Sequence, residues 1–233
     1  MSEYDVPRRL AAVKAAEQIK DGNVVGLGSG NTIAIAIEEI AKLLKEKNIK
    51  ALFIPTSHQI ELAAITHGLK LALFTEFPEP DLAIDGADQV DERLNLIKGG
   101  GAALAREKVV DASAKRFLVV VDEQKLVKKL GEQQVVPLEV LPFAHQAVIR
   151  RIARLGGKPT LREGKGKVGP VVTDNGNFIV DSDFGTIDDP AGLERQLRSI
   201  PGIIETGLFV DMANSVYVGK KDGTVLTLER KPR

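Results

Sequence analysis

Between Ile84 and Lys108 the chain reads IDGADQVDERLNLIKGGGAALAREK, and this stretch holds the densest set of groups able to do chemistry. Two carboxylates, Asp85 and Asp88, are three residues apart; Lys98 is followed at once by Gly99, Gly100 and Gly101; a further acid, Glu107, comes next. Carboxylates, one ammonium and bare backbone amides suit a polyhydroxy, anionic small molecule. A carboxylate can remove a proton beside a carbonyl, while an ammonium and amide donors steady the oxygen that becomes negative. Other chemistries lack their parts. The chain has no cysteine, which excludes disulfides, thiolate metal sites and cysteine nucleophiles. Its three histidines, His58, His67 and His145, form no HExxH-type pairing; carboxylates could still hold a metal, but nothing in the sequence argues for one, and none is expected. No serine has an evident catalytic partner, and no redox-cofactor fingerprint is present. What remains is proton movement, of the kind an aldose–ketose isomerisation without metal requires.

A second candidate region is NVVGLGSGNT (23–32). Val24 and Val25 begin a short apolar strand, Gly26, Gly28 and Gly30 form a loop, and a helix follows to about Lys47. Its apolar residues Ile33, Ile37, Ile40, Ala41 and Leu44 fall on one face. Strand, glycine loop and helix together point backbone N–H groups and a positive helix end at an anion. Ser29, Asn31 and Thr32 add side-chain donors. The dinucleotide pattern fails at Asn31, the Walker A Gly-Lys-Ser/Thr is missing, and Leu27 breaks the GxSxG elbow. The loop therefore reads as a phosphate or sugar contact, with a plain strand-to-helix turn as the alternative.

The elements that must position these residues follow from the pattern. A first helix is expected over 7–20, strands at 51–55 and 71–74, a helix from Ser57 to His67, and a proline-rich loop over 77–81. The apolar DLAID is too short for a helix and reads as a buried strand that puts Asp85 at its carboxyl end, where open α/β sheets bind ligands. A helix is expected over 102–115, with Glu107 three residues from both Leu104 and Val110 and so at the packed stripe. FLVVVD (117–122) is a strand, with Lys125 just beyond its carboxyl end. This alternation predicts an α/β fold: a mostly parallel sheet with helices on both faces. If the loops at 26–32, 85–88 and 98–101 all open on one edge of that sheet, they share one crevice. Past Gln134 the pattern changes. VVPLEVLP is extended, but its two prolines argue against a continuous central strand. A helix is expected over 143–156, a hairpin over VVTDNGNFIVDSDF with a type I′ turn at Asn175-Gly176, and a helix over 190–200. The order resembles a small ferredoxin-like α+β domain. The expected domains are 1–133 with 207–233, and 134–206.

Composition sets the broad class. The chain has 233 residues, 43% hydrophobic and 27% charged, with formal net charge +0. Nothing in it steers the protein to nucleic acid or to an anionic membrane. No apolar run approaches the roughly 18–20 residues of a membrane span, and the first residues lack the apolar core of a secretory signal, so a cytoplasmic protein is expected.

The segments GLGSGNT, IDGAD, LIKGGGAALAREK, VVTDNGNFI and IPGIIETGLF closely resemble ribose-5-phosphate isomerases of the A type, in order and over nearly the whole chain. DGAD with KGGG and a following RE is the specific part. The resemblance implies interconversion of D-ribose 5-phosphate and D-ribulose 5-phosphate in the pentose phosphate pathway, with no cofactor, by a Rossmann-like domain carrying a smaller α+β lid, in a homodimer or homotetramer. It implies Glu107 as general base, Asp85 in opening the furanose ring, and Asp88 on sugar hydroxyls, with Gly86 and Ala87 in the same substrate-binding segment. Lys98, Gly99, Gly100 and Gly101 would bind substrate and steady the oxyanion. Ser29, Gly30, Asn31 and Thr32 match the substrate loop, and Lys125 a further substrate-binding lysine. Ser29 and Asn31 depart from the usual TGST, and Gln89 stands where Glu is usual. The alternative, a sugar-phosphate-sensing module without turnover, is one that could lose Glu107 or Lys98; both are present.

Overall fold

The computed structural model describes residues 4–166 and 168–230. In chain order the elements are α1 (Asp5–Ala16), β1 (Val24–Leu27), α2 (Asn31–Lys47), β2 (Leu52–Pro55), α3 (His58–Thr66), β3 (Leu82–Asp85), β4 (Gln89–Val90), β5 (Leu96–Ile97), α4 (Leu104–Ser113), β6 (Phe117–Asp122), β7 (Val136–Val140), α5 (His145–Arg154), β8 (Lys158–Leu161), β9 (Phe178–Asp183), α6 (Pro190–Arg198), β10 (Ile203–Thr206), β11 (Leu208–Phe209), β12 (Ser215–Gly219) and β13 (Val225–Glu229). They fall into two compact units. One comprises the chain up to Ala87, Arg106–Leu126 and the chain from Met212 on; the other comprises Asp88–Ala105 and Val127–Asp211.

The first unit is built on a six-stranded sheet in the order β13-β12-β6-β3-β1-β2, parallel except for the edge pair β12–β13. The fully buried β6, FLVVVD, is an inner strand, as an unbroken apolar run requires. One face packs Val25, Leu27, Ile84, Leu118 and Val120 against α1 and α2, whose small residues Ala11, Ala12, Ala15 and Ala36 let the two helices lie close. On the other face Val110 of α4 fills the space at Gly26, where an added Cβ would stand 2.3 Å from its Cγ1. The expected strand at 71–74 shrinks to a single bridge, Phe53↔Leu71. Beyond Leu71 the chain turns toward the proline loop, leaving Leu73 exposed.

The second unit holds a four-stranded antiparallel sheet, β10-β7-β9-β8, and a three-stranded one, β11-β5-β4. The β7-α5-β8-β9-α6-β10 succession with that strand order is the ferredoxin-like arrangement. Residues 88–105, 127–133 and 207–211 group with this unit, although the sequence reading placed them in the larger domain. The reason is the small sheet: β4 and β5 pair with each other and with β11 rather than with the parallel strands.

Two further expectations change. VVPLEV forms a central strand, β7, despite Pro137. Its proline falls where β10 has ended, and the Gly207 carbonyl, opposite the missing donor, accepts the Lys98 N–H instead at 2.9 Å. The turn at Asn175-Gly176 is not type I′, which needs positive φ at both central residues. Only Gly176 has it, at 78°. Thr173 accepts from the Gly176 N–H and donates to the Asn177 carbonyl, so a type I turn closes with a glycine bulge. The arm before it bridges to β9 at Val172↔Phe178 and donates its Val171 N–H to the Arg162 carbonyl, while β9 itself pairs with β7 and β8.

Candidate active site

In the first unit the site residues lie at the carboxyl edge of the parallel sheet. Asp85 ends β3 and is fully buried. Its Oδ1 accepts the N–H of Gly86 at 2.6 Å and of Ser29 at 3.3 Å. Gly28 leaves the room for this carboxylate: a Cβ there would lie 1.8 Å from Asp85 Cγ. Neighbouring parallel strands thus join the glycine loop to the aspartate. Ser29 is held by Thr56 and Ser57, whose hydroxyls lie 2.9 and 2.7 Å from its Oγ. Gly30 caps α2 with φ 87°, a conformation costly for other residues, and its N–H donates to Gln59 Oε1. Asn31 and Thr32 form the first turn of α2, whose leading N–H groups have no intrahelical acceptor and face outward along the axis.

Glu107 lies in the first turn of α4 and is 4% exposed, so it is not one of the solvated charges of the surface. Its side of the sheet follows from packing. Ala83 and Asp85 alternate onto the same face of β3, and Val110 covers that face at Gly26 and Ala83. The end of α4 lies by the start of β3, where Lys115 pairs with Asp81 at 2.7 Å. The first turn of α4 therefore points to the carboxyl edge, one turn beyond Val110, on the face that bears Asp85. Lys125 closes a short 3-10 turn after β6, capped by buried Asp122, which also binds Arg8 Nε at 2.8 Å.

In the second unit Lys98 follows β5, so it does not extend from the parallel sheet, and the condition that all three loops open on one edge of one sheet holds for only two of them. Lys98 is 3% exposed, and its Nζ stands 5.3 Å from the centre of the Phe209 ring. Asp88 accepts the Gly100 N–H at 2.8 Å, fixing the glycine loop. Gln89 donates to the Glu132 carbonyl and accepts the Gly131 N–H, a pairing that the carboxylate of a Glu could not complete. Among the described residues no group of three or more His, Cys, Asp or Glu is placed to hold a metal ion.

Sequence reading missed Thr56, Ser57, Arg8 and Phe209, because each acts through a partner distant in the chain. Ser57 carried a local signal, but as a helix cap, a role it also fills with the Ile60 N–H.

A parallel α/β sheet with buried acids and a helix N-terminus at its carboxyl edge defines an open α/β fold of the kind that binds small ligands at that edge. Comparison with known proteins narrows this. Residues 52–223 match the family model of ribose 5-phosphate isomerase A (phosphoriboisomerase A). The ribose-5-phosphate isomerase A of Methanosarcina acetivorans is 48% identical over 224 residues, 96% of this chain and 94% of that one. The solved ribose 5-phosphate isomerase A of Methanocaldococcus jannaschii superposes with a TM-score of 0.92 at 43% identity, covering 98% of this chain and 100% of that one. A D-ribose-5-phosphate isomerase solved in complex with phospho-erythronic acid has a TM-score of 0.92 at 45% identity, covering 96% of this chain and 98% of that one. The chain belongs to the ribose 5-phosphate isomerase A family.

Proposed function

We propose that the protein interconverts D-ribose 5-phosphate and D-ribulose 5-phosphate through an enediolate, with Glu107 as the proton carrier and no metal. The observation that carries this reading is the pair of buried acids, Glu107 and Asp85, on one face at the carboxyl edge of the sheet. Asp85 assists opening of the furanose ring. The Glu107 carboxylate then takes the C2 proton of the open-chain aldose, and the electron pair moves to the carbonyl oxygen O1. The same proton returns to C1 while the O2 hydroxyl proton passes to O1, leaving the ketose and a carboxylate ready to repeat. Lys98 and the amides of Gly99, Gly100 and Gly101 offset the transient charge. Asp88, Gly86 and Ala87 serve the sugar hydroxyls. The loop Ser29, Gly30, Asn31 and Thr32, with the α2 end, and Lys125 serve substrate binding. Phospho-erythronic acid, the ligand of a relative, combines a phosphate, hydroxyls and a carboxylate, the groups such a donor set suits.

The protein acts as a homodimer or homotetramer in the cytoplasm, with the smaller domain as lid and oligomerisation element. No helix among the described residues is long and apolar enough to cross a membrane.

NMR of ribose 5-phosphate with the purified protein and excess chelator tests the reading. Ribulose 5-phosphate should form at an unchanged rate. No turnover with or without chelator rejects the isomerase; loss on chelation alone rejects the metal-free route.

A further inference from the structure

Three consecutive glycines have no side chains to hold them, and their backbone is free to take many conformations. A loop that presents amide donors must nevertheless be fixed before the ligand arrives. The fixing group comes from elsewhere in the second unit. Arg162, just after β8, donates from Nη1 to the Gly99 carbonyl at 3.1 Å and to the Gly100 carbonyl at 2.9 Å. Its own orientation is set by Asp181 on the adjacent β9, which accepts from Nε at 2.7 Å and also from Nη2. Four of the five guanidinium N–H groups are thus spent on the protein. Only a planar fork can face a carboxylate and two carbonyls at once.

The consequence lies in the peptide planes. The described residues contain no cis peptide, so each carbonyl points opposite to the N–H of the same peptide unit. The Gly99–Gly100 unit is gripped at both ends, its carbonyl by Arg162 and its N–H by Asp88 at 2.8 Å. The Gly100–Gly101 unit is gripped at its carbonyl, which turns the Gly101 N–H away from the guanidinium. Gly101 is exposed, with open space where a Cβ would stand. We propose that Arg162, oriented by Asp181, is a positioning residue that aims the Gly101 amide at the substrate and strengthens it as a donor by polarising the preceding carbonyl. This rests on the reading of the KGGG loop as the oxyanion and substrate loop.

The full-length protein and its variants test the idea. Arg162→Ala should keep the wild-type circular dichroism spectrum yet lose about 10²-fold in kcat/KM for ribose 5-phosphate, the scale set by a misaimed contact. Added guanidinium ion should restore part of that loss, which a merely structural role would not allow. Arg162→Lys should recover less than guanidinium does, since one ammonium cannot serve Asp181 and both carbonyls. Wild-type kinetics in Arg162→Ala, or a loss that guanidinium leaves unmoved, overturns the proposal. If the wild-type protein turns over no ribose 5-phosphate, the isomerase reading fails by itself, and the ¹⁵N–¹H resonance of Gly101 decides the positioning claim. It should shift and broaden in Arg162→Ala; an unmoved resonance overturns the claim. Should that variant fail to fold, Asp181→Asn is read by the same resonance with the same two outcomes.

Discussion

Carboxylates are rarely taken out of water unless something is gained by it, and here Asp85 and Glu107 are both almost wholly buried. Asp85 has its place only because residue 28 lacks a side chain, and its charge is met by the amides of Ser29 and Gly86. Lys98 is likewise withdrawn from solvent, its ammonium set over the Phe209 ring, a contact worth about 0.5–2 kcal/mol. A burial pattern of this kind is expected of groups kept for reaction rather than for solubility. It leads to a sharp expectation for Glu107→Gln. The amide matches the carboxylate in size, so fold and ligand binding should persist, while turnover of ribose 5-phosphate should drop at least about 10²-fold, the low end for loss of a general base. Steady-state kinetics beside a binding titration with phospho-erythronic acid separates the two. Near-normal turnover would move the base to another residue.

The elements are tied to each other by side chains at their ends, and Asp81 is the clearest case. One oxygen accepts the Val24 N–H that begins β1; the other accepts the Lys115 ammonium beyond α4. Lys115 first, and the Val24 N–H next, hold the Asp81 carboxyl below the ordinary carboxylate range. A depressed value in the folded state means stability that is present above the unfolded value and lost as pH falls through the folded one. Asp81→Asn should therefore melt about 2–4 °C below wild type at neutral pH, with the gap closing in acid, as thermal scans across pH 2–7 would register; a gap constant over that range would mean the charge is irrelevant. The same distinction, between what neighbours in the chain dictate and what distant partners decide, explains how much was legible in the sequence. β1, α2, β6 and the strand before Asp85 were readable because their apolar period and length are local properties. The helices at 143–156 and 190–200 were readable for the same reason, but the strand that pairs with β9 between them is β8 rather than the first arm of the expected hairpin. VVPLEV was misread because the harm done by Pro137 depends on where β10 stops. The Asn-Gly turn was placed correctly and typed wrongly. Its geometry is bound up with Glu139, a fully buried acid in β7 whose Oε1 collects Thr173, Asn175 and Asn177. No local rule connects residue 139 to 173–177. For the same reason the loop residues 29 and 98–101 were legible as chemistry, while Thr56, Phe209 and Arg162, which hold them, were not.

At the scale of the whole molecule, what the chain leaves uncovered matters as much as what it buries. Net charge is zero, so repulsion between copies is weak. In the second unit Phe143 is 96% exposed, and Leu141, Val172 and Ile204 are about half exposed. They lie at one end of the four-stranded sheet. Val140 pairs with both Ile203 and Phe178, and Phe178 bridges to Val172, which places the residues next to these pairs side by side. A cluster of large apolar side chains in water is a cost that a second copy removes. In a two-fold assembly the same patch meets itself, so one substitution acts twice. Phe143→Asp then brings two like charges into a surface that should be dry. Sedimentation of the wild-type protein should give a dimer or tetramer, and the variant should move to a smaller species at the same concentration. Its activity per subunit toward ribose 5-phosphate should stay near wild type if the subunits work independently, because residue 143 belongs to neither acid pair nor glycine loop. A wild-type monomer would reject the assembly, and an unmoved mass in the variant would shift the contact to the exposed Leu62 and Ile65 of α3.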